Sequence, residues 1–199
     1  LAASPAGMNF YRMRYGTDDF AVTDAYTYAA YTLLPGTTAQ SWVVPCGGSW
    51  HIRVHKIVTA SPVDIADGGF ALSVEEPFVS RIGVEDGKVL LQQVEEVSGG
   101  KAVFLPWGCT AAVSLLGGAQ AAFVRTFPNT NLMANLCAVP YLKATLQPGT
   151  HILVDAFYAR PADADERGGF AAKPFAARKG NAIEISCADG RTIRIDLEG

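Results

Sequence analysis

Glycine and proline interrupt this chain at short intervals, and the runs between them are rich in Val, Ile, Phe, Tyr and Thr. Such runs suit a pleated, half-buried surface, and their punctuation marks turns. Helix signals are scarce. The spacing predicts strands over 8–15, 20–33, 40–45, 49–59, 68–75, 79–84, 87–97, 101–105, 109–116, 120–127, 132–138, 141–147, 151–159, 182–187 and 191–197. The clearest hairpin is "AIEISCADGRTIRIDL", which alternates on both sides of Ala188-Asp189-Gly190. An Asp-Gly pair between alternating runs marks a tight turn, and Asp86-Gly87 has the same setting. Gly-Gly pairs at 47–48, 68–69, 99–100, 117–118 and 168–169 fit positions where φ must be positive. The stretch 160–181 is the least strand-like and reads as a surface loop. So many short strands exceed an immunoglobulin set. The expected fold is all-β, a large antiparallel two-sheet sandwich.

Composition supports one domain over 1–199. At 199 residues, 49% hydrophobic and 18% charged, the chain can bury a substantial core. A net charge of −3 without any Lys/Arg run gives no basis for a nucleic-acid partner. No apolar run reaches the roughly 18 to 20 residues that a membrane helix needs. The opening "LAASPAGMNF" is neither a signal peptide nor a methionine start. It is expected to follow an upstream segment. Cys46, Cys109, Cys137 and Cys187 form no CxxC pair, so no zinc ribbon or thioredoxin-type motif is present. Cys137 and Cys187 read as buried free thiols, which points to a reducing, cytoplasmic setting.

The segment "GGSWHIRVHKIVTA", residues 47–60, holds two of the three histidines. As a strand it turns Trp50, Ile52 and Val54 to one face and His51, Arg53 and His55 to the other. The first face is core. The second is a polar row, expected on an outer or interface face. His51 and His55 cannot share a metal ion as neighbours, because a strand sets them roughly 13 Å apart at about 3.3 Å per residue. Asp64 and Asp67, expected in the turn after this strand, could make a His–Asp dyad, but no nucleophile elbow accompanies it. Glu75 and Glu76 are adjacent in an expected strand and point to opposite faces, so they cannot flank one glycosidic bond. Three readings of the cationic row stay open: an acidic sugar, carboxylates of a neighbouring domain, or a solvated strand face. Trp42, Trp50 and Trp107 read as packing residues or sugar platforms. Tyr26 and Tyr28 share an expected strand face with Asp24, with Tyr31 on the opposite face. His151 reads as a turn-edge residue.

Residues 34–72 carry a resemblance. Trp42-Val43-Val44-Pro45, the block Trp50-His51-Ile52-Arg53-Val54-His55 and the glycine block Gly68-Gly69-Phe70-Ala71, with Asp67 as the acid before it, resemble the C-terminal region of a bacterial family of unknown function. Full members pair an N-terminal α/α toroid with a C-terminal β-sandwich. They are similar in architecture to heparinase II/III-type polysaccharide lyases, and some are placed with glucuronidase-type glycoside hydrolases. The resemblance implies that this chain is an accessory sandwich, not active alone, that docks on the toroid and lines its cleft. It implies a toroid partner and an acidic glycan, and no cofactor or metal. It makes His51, Arg53, His55, Trp42 and Asp67 ligand-binding or domain-interface residues, with Arg53 the choice for a uronic-acid carboxylate. No catalytic role carries over to any residue. The rival readings are a self-contained carbohydrate-binding module, a free-standing enzyme, and a structural or oligomerisation domain.

Overall fold

A computed structural model describes residues 1–7, 18–69, 72–74, 79–85, 88–97, 101–103, 109–126, 136–160 and 173–198. The described residues contain seventeen strands and no helix. They are β1 (Ala2–Pro5), β2 (Asp19–Val22), β3 (Thr27–Leu34), β4 (Thr37–Pro45), β5 (Trp50–Thr59), β6 (Val63–Gly68), β7 (Leu72–Val74), β8 (Val79–Glu85) and β9 (Lys88–Val97). The chain continues with β10 (Lys101–Val103), β11 (Cys109–Leu116), β12 (Gln120–Thr126), β13 (Leu136–Leu146), β14 (Gly149–Arg160), β15 (Phe175–Lys179), β16 (Ala182–Ser186) and β17 (Thr192–Asp196).

The strands form three antiparallel sheets. A nine-stranded sheet runs β10-β9-β11-β14-β5-β4-β3-β2, with β8 also on β9. A five-stranded sheet runs β1-β6-β13-β12, with β7 on β13. A small sheet of β15, β16 and β17 completes the set. The expected all-β sandwich is therefore present, and it has a third layer.

Strand alternation explains the layering. On β4 and β5, Trp42, Val44, Trp50, Ile52 and Val54 project to one side and pack against Ile183, Ile185, Ile193 and Ile195 of the small sheet. On the opposite side, Ala39 and Ile57 pack with Val63, Ile65 and Leu146 of the five-stranded sheet. Phe157 meets Leu142 there as well. The middle of the nine-stranded sheet, at β4, β5 and β14, is thus covered on both faces, and these strands bury residues in both directions. Lys56 crosses between layers by stretching its stem along the core and donating to the Leu197 carbonyl at 2.6 Å.

Several expected boundaries shift, for local reasons. The predicted strand 20–33 is two strands, because Thr23 caps a turn: its Oγ1 accepts from the Tyr26 N–H at 3.0 Å. Asp24 and Tyr26 therefore lie in a turn rather than on a strand face with Tyr28. Predicted strands 132–138 and 141–147 merge into β13 despite Pro140. Proline is tolerated because it falls where the partner changes from β7 (at Ala138) to β6 (at Tyr141), so no ladder bond is lost on that side. Asp64 and Asp67 lie within β6, not in a turn. The supposed loop 160–181 contains β15, while residues 161–172 lie outside the described residues. So do predicted strand 8–15, the Asp86-Gly87 turn, Glu75, Glu76, Trp107, Phe70, Ala71 and the glycine pairs 99–100 and 168–169.

The turn chemistry holds at 188–190, where Gly190 has φ of 86° between β16 and β17. Gly47, Gly48, Gly117 and Gly118 also take positive φ. Gly68 and Gly69 do not. Gly69 is instead required by a close approach: a Cβ there would lie 2.8 Å from the Phe157 ring and 3.1 Å from Pro140.

Candidate functional site

β5 turns Trp50, Ile52 and Val54 toward the small sheet and His51, Arg53 and His55 the other way, as the period-2 pattern requires. The polar row does not lie on an outer face. The five-stranded sheet covers it, and His55 is buried. β6 carries Asp67 in that second sheet, directly over the row, and the dyad that sequence alone left unassembled is made. His55 Nε2 lies 3.0 Å from Asp67 Oδ2. Arg53 donates from one terminal nitrogen to Asp67 Oδ1 at 2.6 Å and to the Gly68 carbonyl at 2.7 Å. The guanidinium carbon sits 4.3 Å from the centre of the Phe157 ring, a cation–π contact.

The chain of contacts continues outward from His55. Its Nδ1 lies 2.7 Å from the Ser41 hydroxyl, which lies 2.7 Å from the Tyr31 hydroxyl. One assignment runs the donors in a single direction: Tyr31 to Ser41, Ser41 to His55 Nδ1, and His55 Nε2–H to Asp67. Two sheets are thereby joined by a continuous polar run, with His55 and Asp67 buried at its inner end.

Burial raises the Asp67 carboxyl, but the neighbouring His55, their hydrogen bond and the Arg53 charge outweigh it and bring it down to about 2. Asp155 is the opposite case. It stands on β14 directly across from Arg53 and next to Ser114 on β11. Among the described residues, neither of its carboxylate oxygens has a hydrogen-bond partner within bonding geometry. Burial and the Asp67 charge push it well above the ordinary range, against smaller lowering effects from Arg53 and the nearby Ser114 hydroxyl. Ligand atoms of His55, Asp67 and Asp155 lie within 4.8 Å of one another, close enough to hold an ion. However, both Asp67 oxygens already accept hydrogen bonds, and a guanidinium occupies the same space. The geometry is that of an ion-pair network.

Among the described residues, a cleft of about 1050 Å³ opens between the two large sheets at this network. Tyr31, Ser41, His51, Arg53 and His55 line it from the nine-stranded sheet, and Tyr141 from the five-stranded sheet. Arg53 is 22% exposed along its side chain. Its second terminal nitrogen and Nε make no hydrogen bond to a described residue. His51 is half-buried beside it, and burial together with the Arg53 charge lowers its pKa. At the rim, Phe20 and Val22 of β2 are 67% and 68% exposed. Leu1 lines the same cleft.

Of the sequence candidates, the structure brings together His51, Arg53, His55 and Asp67. Trp42 is not with them. It alternates with Ser41 and Val43, so it faces the small sheet, tilted at 44° against Tyr28 with ring centres 5.2 Å apart. Trp50 is likewise core, against Tyr158. His151, on β14, bonds the Gln147 carbonyl near a turn. Tyr31, Ser41 and Asp155 are members of the network that sequence reasoning did not single out. Asp155 carried a usable signal, a lone acid inside the apolar run "HILVDAFYA". Ser41 carried none.

The model of the DUF2264 C-terminal domain matches residues 2–177. The chain belongs to this family. Solved structures similar to this DUF2264 C-terminal domain include Heparinase III, at 9% identity and a TM-score of 0.62, covering 97% of this chain and 28% of that one. The heparan sulfate lyase HepC from Pedobacter heparinus is similar at 8% identity and a TM-score of 0.59, covering 92% and 28%. The Heparinase III-BT4657 gene product is similar at 11% identity and a TM-score of 0.58, covering 92% and 27%. At these identities the likeness is one of fold. The chain spans little more than a quarter of the length of each of these structures. No curated protein matches the sequence.

Proposed function

We propose that this DUF2264 C-terminal domain is the sandwich part of a larger protein that processes acidic polysaccharide, and that its intersheet cleft forms one wall of the substrate site against a helical toroid. The observation that carries this is the state of Arg53. It is fixed by Asp67, Gly68 and Phe157, yet it lines the cleft and keeps 22% of its side chain exposed. An arginine held at one end and unpartnered at the other is pre-organised to accept a carboxylate with little loss of side-chain freedom. A uronic acid supplies that carboxylate. The sizes of the fold relatives support the toroid, and the exposed pair Phe20 and Val22 supplies apolar area at the rim for it to cover.

The test uses the full-length parent protein and glucuronic- and galacturonic-acid oligosaccharides. Arg53→Lys keeps a cation for Asp67 and removes the guanidinium fork. Affinity for the acidic oligosaccharide is expected to fall about tenfold or more, with neutral oligosaccharides unaffected. Equal affinity in the wild type and Arg53→Lys overturns the reading. Histidine NMR signals are the better monitor of binding, because Trp42 and Trp50 face the core on the other side of the sheet.

A further inference from the structure

On the face of the nine-stranded sheet opposite the cleft, two cysteines meet. Cys46 ends the β4 side of the 45–50 turn, and Cys187 opens the turn between β16 and β17. They are 141 residues apart in sequence, and their sulfurs are 3.0 Å apart. Both are buried free thiols.

We propose that Cys46 and Cys187 are an oxidisable pair that closes to a disulfide, stapling the small C-terminal sheet to the β4–β5 hairpin. The argument is geometric. A disulfide needs its sulfurs about 2.05 Å apart and its backbone already at bonding range, so closure here requires a movement of about 1 Å. Hydrogen bonds independent of the sulfurs hold the two turns against each other. Asp189 donates its N–H to the Cys46 carbonyl at 3.2 Å, and Cys46 donates to the Trp50 carbonyl at 2.9 Å. Cys187 donates to the Arg191 carbonyl at 2.8 Å, and the Arg191 guanidinium reaches the Pro45 carbonyl at 2.8 Å. Gly47 makes the approach possible: a Cβ there would sit 2.7 Å from Asp189. Two turns are therefore locked edge to edge with a thiol from each between them. The pair lies where the small sheet meets β5, the strand of the cleft's polar row, with Cys46 five residues before His51.

The oxidant is a low-molecular-weight disulfide such as oxidised glutathione. Cys187, which is 7% exposed where Cys46 is 0% exposed, reacts first. Its thiolate attacks one glutathione sulfur, the glutathione S–S bond breaks, and one reduced glutathione leaves. Cys46 then displaces the second glutathione from the mixed disulfide. Two thiols lose two protons and two electrons, and one oxidised glutathione becomes two reduced ones. Burial and the neighbouring Cys187 raise the Cys46 thiol well above its ordinary value, so the second step is the slow one.

The experiment incubates the folded 199-residue chain in a series of oxidised-to-reduced glutathione ratios, then alkylates, digests without reduction and reads the peptides by mass. The expected result is one cross-linked species joining the Cys46 and Cys187 peptides, with the chain lighter by about 2 Da, the two hydrogens lost. The oxidised chain should also unfold at higher urea than the reduced chain, and Cys187→Ser should abolish that difference. Recovery of both cysteines as free thiols or glutathione adducts at equilibrium in excess oxidant overturns the proposal. So does a cross-linked chain whose urea midpoint matches that of the reduced one. If Cys187→Ser does not fold, the peptide map and midpoints of the wild type alone decide.

Discussion

Replacing Asp67 by Asn tests whether the ion-pair network holds the two large sheets together. The change is nearly isosteric and removes the charge that His55 and Arg53 address from β5. Its magnitude has a part that pH can isolate. The Asp67 carboxyl is held down to about 2 from an ordinary 3.8. At about 1.4 kcal/mol per pH unit this corresponds to about 2 kcal/mol of stability. Because the folded pKa is depressed, the contribution is complete above the unfolded value and disappears as pH falls through the folded one. Leaving Arg53 and His55 without their acceptor adds a further cost that pH does not remove. Arg53 is partly solvated, so this falls below the 3 to 5 kcal/mol seen for a fully buried broken pair, at about 1 kcal/mol. Asp155 loses a repulsive neighbour in the same change, which trims the loss. The expected destabilisation at pH 7 is therefore about 2 to 3 kcal/mol. With a urea slope of about 2 kcal/mol/M, this lowers the midpoint by about 1 to 1.5 M. Urea unfolding of the wild type and Asp67→Asn from pH 7 to pH 2 is the assay. The gap between the two should narrow between pH 4 and pH 2, a window in which carboxylates common to both chains cancel. Parallel curves across that window would refute the reasoning, because Asp67 would then titrate as an ordinary carboxyl.

Two further outcomes follow from the same geometry. Asp155→Asn should be more stable than the wild type at pH 7: burial and the Asp67 charge raise the folded pKa, so the native chain carries a penalty relative to the unfolded one, and this penalty fades as pH falls toward the unfolded value near 4, so urea midpoints at both pH values check the sign. Gly117→Ala should lose about 3 kcal/mol in thermal or urea unfolding, because Gly117 has φ of +93° and the new Cβ would lie 2.6 Å from the Ile152 carbonyl oxygen.

The polar row shows how far strand periodicity reaches. Period 2 fixes which side chains of β5 share a face, and it put His51, Arg53 and His55 together correctly. It carries no information on what covers that face. Alternation alone leaves the row on an outer or an interface face, and in the structure an acid on the partner sheet covers it and supplies the pairing. Asp67 was visible as the acid before a glycine pair. Its meeting with His55, only twelve residues away, depends on the chain leaving one sheet at Thr59 and entering another at Val63.

By itself the sequence determined the local grammar of this DUF2264 C-terminal domain: short antiparallel strands, the Asp189-Gly190 hairpin, the apolar face of β5, and a resemblance to toroid-linked sandwiches carried by residues 34–72. Those features follow from φ/ψ preferences and alternation, which act over a few residues. Tertiary structure alone decided the rest. Cross-strand register placed Ser41 against His55 and Asp155 against Arg53, and sheet stacking closed Asp67 over the row. The third layer brought Cys46 to Cys187 across 141 residues. These are contacts between surfaces that the chain assembles only once it has folded, so no window of the sequence contains them.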